Sequence, residues 1–278
     1  MFAQLLTALL AGAGCMLFAV PAAAYHDKET PWVKGSSYTL QQGEFSLGIL
    51  QWDAGVLDEL QVGTIWPLWL AWPVLGGPIP NATLKARSWF AGDVVFSVGG
   101  TFLYLDASKV LETSAATADS KARLITFTGS VGASYRANQW LTGSIDVTYS
   151  KADISGQDPR ATLAGVAITN ALRVGAMGEW RLSRFVALQL KGRTLLYRHE
   201  PSLHAAFSPN PWTDVDAELS IGKIAPFLAS NVVASLAYSG KNVNFAVGGG
   251  YGYGWLPLID LVQASPSFLA DLDLFVRF

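Results

Sequence analysis

Apolar and polar residues alternate along much of the chain, a pattern that predicts β-strands. From Leu141 to Ser150 every odd position is apolar or glycine and every even position is polar. The same period of two recurs in 93–106, 123–136, 186–196 and 243–255. Successive side chains of a strand point to opposite faces, so each segment is predicted to have one apolar face and one polar or small-residue face.

Composition shows that polar residues are scarce along the whole chain. Of the 278 residues, 51% are hydrophobic and 14% are charged, whereas soluble domains average about 25% charged residues. Beyond the first 24 residues, the longest uncharged stretch, Gln61 to Thr83, contains four prolines, so a membrane-spanning helix is not expected there. Two fold classes remain: a soluble all-β domain, or a transmembrane β-barrel whose apolar face contacts lipid.

The aromatic and charged residues favour the barrel over the soluble domain. Tyr135, Trp180 and Tyr238 lie on the apolar face near the ends of their segments, where membrane barrels carry aromatic girdles. Asp146 and Lys191 lie in mid-strand on the polar face. The dry core of a soluble sandwich would not accept such charges unpaired, so the polar face is predicted to line a lumen.

The end of the chain carries a motif of its own. Residues 268–278 alternate and terminate on an aromatic residue. This segment resembles the C-terminal β-signal of bacterial outer-membrane β-barrel proteins, and the matching positions are Leu272, Leu274, Val276 and Phe278. The resemblance implies a porin-like barrel in a Gram-negative outer membrane, where the barrel-assembly machinery would recognise this signal. No subfamily follows from these residues.

The strand candidates can be counted along the chain. They are 43–52, 60–71, 80–90, 93–106, 122–137, 140–154, 162–181, 185–199, 227–238, 243–255 and 267–278. A bacterial barrel with both ends in the periplasm needs an even number of strands, and Trp32 to Leu40 is the obvious additional strand. We therefore expect an all-β fold, a single antiparallel transmembrane β-barrel of about 12 strands, with 10 strands as the alternative.

The lengths of the predicted connections suggest an orientation. Counted back from a periplasmic C-terminus, the tight links near Gly240, Ser183, Asn138 and Gly92 fall on the periplasmic side. The longer connections 107–121, 155–161, 200–226 and 256–266 then fall outside the cell, as is usual for such barrels.

The first 24 residues differ from the rest and are expected to be a cleaved signal peptide. Met1 to Ala24 contains no Lys, Arg, Asp or Glu, and it closes with three alanines at 22–24 after an apolar run. The only cysteine, Cys15, lies in this segment. Residues 25–278 would then form the barrel domain of an exported protein of the cell envelope.

Charged residues on the inward parity are candidates for the lumen. They are Glu44, Lys85, Arg87, Asp146, Arg173, Glu179, Lys191, Arg193, Asp271, Asp273 and Arg277. Positive and negative charges nearly balance, which argues against strong ion selectivity and allows ion pairs across the lumen. A barrel of this size falls between filled barrels and wide porins, so a narrow pore and a plugged barrel are both possible.

Four cations are predicted to face outward at the extracellular ends of their strands. These are Lys121, Arg123, Lys151 and Arg198. One hypothesis is that they contact the phosphates of lipopolysaccharide, because a guanidinium matches a phosphate geometrically. The alternative is that these side chains only snorkel at the polar interface of the lipid.

Three classes of function fit these patterns, and we favour a narrow channel or transporter for small solutes, by analogy with porin-like barrels. The second is a non-conducting structural or surface-binding barrel, whose external loops would present Pro209, Pro211 and Trp212. The third is a lipid hydrolase or protease of the outer membrane. Its candidate residues are His199, Glu200, Ser202, His204 and Ser208.

The enzyme class is the least favoured of the three. The spacing from His199 to Ser202 is wrong for two side chains on one face of a strand, so no catalytic residue is assigned. The sequence indicates no cofactor and no metal site. Its net charge of -2, without any basic block, argues against binding to nucleic acid. The solute of a channel is not identified by these residues.

Overall fold

The computed structural model describes residues 34–70, 79–90, 93–106, 121–158, 163–199, 202–210, 213–220, 229–240, 242–256, 261–262 and 266–277. The signal peptide expected in 1–24 lies outside these ranges. Among the described residues, no helix is long and apolar enough to cross a membrane.

Nearly all regular structure in the described ranges is β-strand. The strands are β1 (Phe45–Gly48), β2 (Trp52–Leu57), β3 (Leu60–Thr64), β4 (Asn81–Phe90), β5 (Val94–Asp106), β6 (Lys121–Arg136), β7 (Leu141–Asp158), β8 (Leu163–Arg181), β9 (Val186–His199), β10 (Ser202–Asn210), β11 (Thr213–Ser220), β12 (Ser230–Ser239), β13 (Val243–Gly252), β14 (Trp255–Leu256), β15 (Leu261–Val262) and β16 (Ser267–Arg277). One short helix, α1 (Pro67–Leu70), follows β3.

Twelve of these strands form a closed antiparallel barrel. Strands β1 to β9 pair in sequence order, β9 pairs with β12, β12 with β13, β13 with β16, and β16 returns to β1. The closed barrel confirms the expected fold class, the count of 12 and, at the level of fold, the resemblance to outer-membrane barrel proteins. Strands β14 and β15 form a separate two-stranded sheet.

The twelfth strand is not the one that the alternation suggested. Residues 34–40 of the candidate Trp32 to Leu40 are turns and irregular backbone, and residues 32 and 33 lie outside the described ranges. Instead the candidate 43–52 ends early, because the chain turns back at 49–51 and β2 pairs with β1. The candidate 60–71 also ends at Thr64, ahead of α1.

Apart from the β1–β2 turn at 49–51, tight turns and longer connections separate to opposite ends of the barrel. Tight turns at 137–140 and 182–185 lie at the end where β16 finishes; we call this the turn end and the opposite one the loop end. At the loop end β7 continues to Asp158 and β8 starts at Leu163, so the expected loop 155–161 is partly strand. The expected loop 200–226 contains β10 and β11, which form a hairpin. In this hairpin, β10 pairs with the loop-end part of β8.

The two faces of the barrel have opposite character. Large apolar side chains such as Val131, Leu190 and Leu272 are exposed on the outer face, whereas polar side chains such as Ser134 and Gln189 are buried. Exposed aromatic residues include Tyr135 and Trp180 near the turn end and Tyr251 near the loop end. This is the reverse of a soluble protein and matches a barrel whose outer face contacts hydrocarbon.

Strand length varies strongly around the barrel. Strands β1, β2 and β3 have 4, 6 and 5 residues, whereas β5 to β8 have between 13 and 19. The wall is therefore low on the side of β1 to β3 and high on the side of β5 to β8.

Candidate functional site in the barrel lumen

Residues 34–41, which we call the lumen segment, cross the interior of the barrel ahead of β1. The Ser37 amide donates to Ser134 Oγ of β6 at 2.8 Å, and the Leu40 amide donates to Gln61 Oε1 of β3 at 3.2 Å. Residues 37–40 are all buried. Because Ser134 and Gln61 lie near the turn end of their strands, the segment occupies that half of the lumen.

Two lysines hold the lumen segment to the wall, one at β4 and one at β16. Lys85 of β4 donates from Nζ to the carbonyl oxygens of Ser36, at 2.7 Å, and Tyr38. Lys34 forms an ion pair with Asp273 of β16 at 2.6 Å. Burial raises the pKa of the Tyr38 hydroxyl, so this side chain stays neutral. The segment is thus bound by side chains from two different strands.

Further ion pairs involve the charged residues predicted for the lumen, and one of them includes Arg181, which was not predicted. Arg277 Nη2 lies 2.6 Å from Glu44 Oε2, Lys191 Nζ lies 2.7 Å from Asp271 Oδ2, and Arg181 Nε lies 3.3 Å from Glu179 Oε1. These pairs place opposite charges side by side and leave little net charge where they lie.

The pair between Lys191 and Asp271 spans two intervening strands. Lys191 belongs to β9 and Asp271 to β16, with β12 and β13 between them. Ser235 on β12, Gly248 on β13 and Asp271 are in register, and Ser235 Oγ donates to the Asp271 carboxylate. A Cβ at Gly248 would lie 2.1 Å from the Ala234 carbonyl oxygen. The absence of a side chain at Gly248 therefore leaves room for this contact.

Arg87 and Asp146 are two further charged residues of the set predicted for the lumen. Arg87 interacts electrostatically with Glu59, Asp58 and Tyr38 near the turn end. Asp146 accepts a hydrogen bond from Thr148 Oγ1 at 3.1 Å. A Cβ at Gly175 would lie 2.4 Å from Asp146 Oδ1, so the carboxylate lies over that glycine.

Three cavities in the described part of the lumen all include Gly35 in their lining. The first, of about 250 Å³, is lined by Lys85, Asp146 and Arg193 among others. The second, of about 390 Å³, shares Asp146 and Arg193 with the first and extends to Asp271. The third, also of about 390 Å³, lies beside the turn between β1 and β2 and shares Asp271 with the second. The three cavities around the lumen segment therefore share lining residues, and each is lined by charged side chains as well as apolar ones.

Arg173 and Arg198 lie on β8 and β9 at a break in their pairing. Register shifts between Leu172 and Arg173, so Leu172 pairs with Tyr197 and Arg173 pairs with Leu195. Tyr197 is 51% exposed and Leu195 is fully buried, so the residue between them is a β-bulge that reverses the alternation. Arg198 pairs with the buried Ala171. It therefore faces inward, and its expected outward position is wrong.

Arg123 and Lys151 keep the expected outward positions at the loop end of the outer face. Their side chains are exposed, and each has a carboxylate partner, Asp106 at 3.6 Å and Asp153 at 3.3 Å respectively. The side chain of Lys121 lies outside the described part of the structure. Exposed pairs of this kind hold their partners weakly, so both cations stay accessible to lipid headgroups.

The C-terminal motif forms the last strand of the barrel. Leu272, Leu274 and Val276 pair with Val247, Phe245 and Val243 of β13, and Leu272 is exposed on the outer face. Phe278 lies outside the described residues.

The candidates for an enzyme or a binding loop fall mostly outside the described side chains. The backbone places His199 at the end of β9, and Ser202, His204, Ser208 and Pro209 in β10. Glu200, Pro211 and Trp212 lie outside the described residues. No group of metal-binding side chains occurs among the described residues.

The sequence pattern did not reveal the lumen segment. Ser36, Ser37 and Tyr38 contribute backbone and side-chain contacts in the lumen and were assigned to a strand. The run Gly35-Ser36-Ser37 is a signal that could have found it, because small and polar residues in succession favour turns over strands.

Comparisons with known proteins do not assign the chain to a family. No family model matches the chain, and no curated protein matches it. The toluene transporter TodX of Pseudomonas putida is similar over 92% of this chain and 95% of that chain, with 10% identity and a TM-score of 0.44. OmpT of Vibrio cholerae, described as expressed in the outer membrane, is similar over 82% of this chain and 63% of that chain, with 14% identity and a TM-score of 0.40.

Proposed function

We propose that the protein is a narrow channel of the bacterial outer membrane for small polar solutes, constricted by its lumen segment. The observation that carries this proposal is the set of three cavities that share lining residues around Gly35. Space lined in part by charged side chains, on several sides of one short segment, is what a constricted pore needs. A fully packed lumen would instead leave no room for water beside the segment.

The contacts of the lumen segment support movement rather than permanent closure. It is held mainly by single hydrogen bonds, such as those to Ser134 and Gln61, and by Lys34 and Lys85. It forms no strand pairing in the described residues. A neutral hydrogen bond contributes about 0.5–1.5 kcal/mol and one from a charged lysine about 1.5–3 kcal/mol, so the segment can be displaced by breaking a few bonds and no strand pairing.

The test is the single-channel conductance of the folded protein in a planar bilayer at high salt. Discrete, reproducible steps are expected, and Lys85→Met should raise their size or frequency because it releases the carbonyl oxygens of Ser36 and Tyr38. Arg123→Gln on the outer face is the control. Silence from protein that is demonstrably folded would contradict the channel and favour a structural or surface-binding barrel.

The second candidate, a surface-binding barrel, rests on the β10–β11 hairpin. Its strands of 9 and 8 residues pair with only four residues of β8, so most of the hairpin lies outside the barrel wall. A hairpin in this position would be available to a partner outside the cell.

The cellular setting is part of the same proposal. Residues 1–24 would direct export and be removed, and Leu272, Leu274, Val276 and Phe278 would be read by the barrel-assembly machinery. Arg123 and Lys151, with Lys121, would contact lipopolysaccharide phosphates. Charge reversal at Arg123 and Lys151 should reduce the lipopolysaccharide that co-purifies with the protein; unchanged co-purification would favour simple snorkelling.

A further inference from the structure

Three arginines lie together on the inner face of β8 and β9. Arg173 pairs with Leu195, and the pairs on either side along this face are Ala171 with Arg198 and Gly175 with Arg193. Arg193 and Arg198 are therefore the two diagonal neighbours of Arg173, at about 7–8 Å between Cα atoms. Both interact electrostatically with Arg173. Their long side chains can reach a common point in the lumen.

The bulge at position 196 brings the third guanidinium into this group. Without it, strict alternation would place Arg198 on the outer face with Leu188 and Leu190. Bulges often redirect a side chain next to a functional site. Here the redirected side chain adds a third positive charge beside Arg173 and Arg193, and like charges placed this close together attract an anion.

The surroundings of Arg198 also favour the binding of an anion. Its Nε atom is buried and has no hydrogen-bond partner in the described part of the structure. Ala171 and Leu195, the inward residues next to it on β8 and β9, are buried in a cluster with Ala229, and the Tyr253 ring packs against this cluster. The wall beside Arg198 is thus apolar, which keeps water away and strengthens the pull of the guanidinium on an anion.

The carboxylates of the lumen lie on the other side of the arginines. Asp146 is in register with Gly175 and Arg193, so it lies in the same row as Arg193 and on the turn-end side of Arg173 and Arg198. Asp271 is held by Lys191 and Ser235. Arg173 Nη2 donates to Ser150 Oγ at 3.0 Å, which orients its guanidinium. Arg193 thus lies in the same row as a carboxylate, and Arg198 lies at the opposite end of the arginine group.

We propose that Arg173, Arg193 and Arg198 form a binding site for the oxyanion group of a small solute, a carboxylate or a phosphate. A guanidinium presents paired N–H donors that match such groups, and charge-assisted bonds of this kind are stronger than neutral ones. This site assigns a class of solute, small oxyanions, to the proposed channel. The inference rests on the proposed channel function for the route by which the anion enters the lumen. Anions would be held above the lumen segment on their way through the barrel.

The test is isothermal titration calorimetry of the folded protein in detergent at low ionic strength, with inorganic phosphate and, separately, acetate. Saturable binding of at least one is expected, and the preferred anion distinguishes a phosphate site from a carboxylate site. Arg198→Gln and Arg173→Gln should each weaken binding about tenfold. Arg198→Lys should lose less, because it keeps the charge and loses only the paired donors.

Arg123→Gln is the matched control, since Arg123 lies at the same end of the barrel on the outer face. The proposal is overturned if neither anion binds saturably, or if Arg198→Gln and Arg123→Gln bind alike while both migrate as folded barrels. Calorimetry does not depend on conductance. If an anion binds but the barrel does not conduct, the channel proposal is wrong and the binding-site proposal stands. If the barrel conducts but neither anion binds, only the binding-site proposal is wrong.

Discussion

Arg277 donates from Nε and Nη2 to both carboxylate oxygens of Glu44, at 3.0 and 2.6 Å, and so ties the last strand to the residue that precedes the first. Only three residue pairs join β1 to β16, namely those of Ser46, Leu47 and Gly48. The two side chains are 8% and 20% exposed. This ion pair therefore supports one of the two shortest seams of the barrel, since β1 and β2 also share only three residue pairs.

Glu44→Gln should destabilise the barrel by about 3 kcal/mol, because it leaves the buried Arg277 charge without its partner. The free energy of unfolding can be measured by tryptophan fluorescence in urea with the protein in lipid vesicles. Lys151→Gln removes an exposed pair of the outer face and should cost less than about 1 kcal/mol. Equal losses in the two variants would show that the seam does not depend on this pair.

Gly248→Ala should disturb the pairing of β12 with β13, whereas Gly249→Ala should be tolerated. The added Cβ would lie 2.1 Å from Ala234 O at position 248, but 3.4 Å from Leu269 O at position 249, which is ordinary contact. We expect a loss of about 1–3 kcal/mol for the first variant. The fraction that shifts in mobility on a gel after boiling reports the folded barrel, and similar fractions for both variants would refute the clash.

A disulfide between positions 37 and 132 should lock the lumen segment. A Cβ at Gly132 would lie 3.2 Å from Ser37 Oγ, within the reach of a cysteine pair. The only natural cysteine is Cys15, in the predicted signal peptide, so competing disulfides are not expected in the mature chain. We expect Ser37→Cys with Gly132→Cys to conduct less when oxidised than when reduced, with each single variant as control. Equal conductance in both redox states would mean that passage does not require the segment to move.

Position 197 should contact lipid and position 198 should not. Single cysteines in place of Tyr197 and Arg198 can be labelled with a lipid-soluble thiol reagent and, in parallel, with a charged one. The bulge predicts that the lipid-soluble reagent prefers position 197 and the charged reagent prefers position 198. The opposite preference would show that β9 alternates without a bulge and that Arg198 faces lipid, outside the arginine group.

Local pattern was sufficient for the long strands, whereas the count of 12 is right although its proposed twelfth strand, Trp32 to Leu40, is not one. Strands β5 to β9 follow the alternation because lipid on one side and polar space on the other select each residue by its face. The split at 49–51 was missed because Gly48-Ile49-Leu50-Gln51 has no strong turn residue pair and continues an apolar run. There the pairing of β1 with both β2 and β16 decides the structure.

The errors in the site have two different origins. The bulge left a trace in the sequence, since Leu195 and Leu196 are consecutive apolar residues in an otherwise alternating strand. The lumen segment left a weaker one, because its contacts with Ser134, Gln61 and Lys85 come from residues that are far away along the chain. Such contacts depend on the closed barrel and cannot be inferred from a window of neighbouring residues.

The low wall of β1 to β3 affects the bilayer as well as the barrel. A strand of 6 residues, such as β2, rises about 14 Å at a tilt of about 45°, against an apolar band of about 25 Å in such barrels. The side of β5 to β8 matches the full band. Lipid on the low side must therefore compress or tilt to avoid a hydrophobic mismatch, at a cost that grows with each Å. One flank of the barrel therefore fits a thinner bilayer than the opposite flank does.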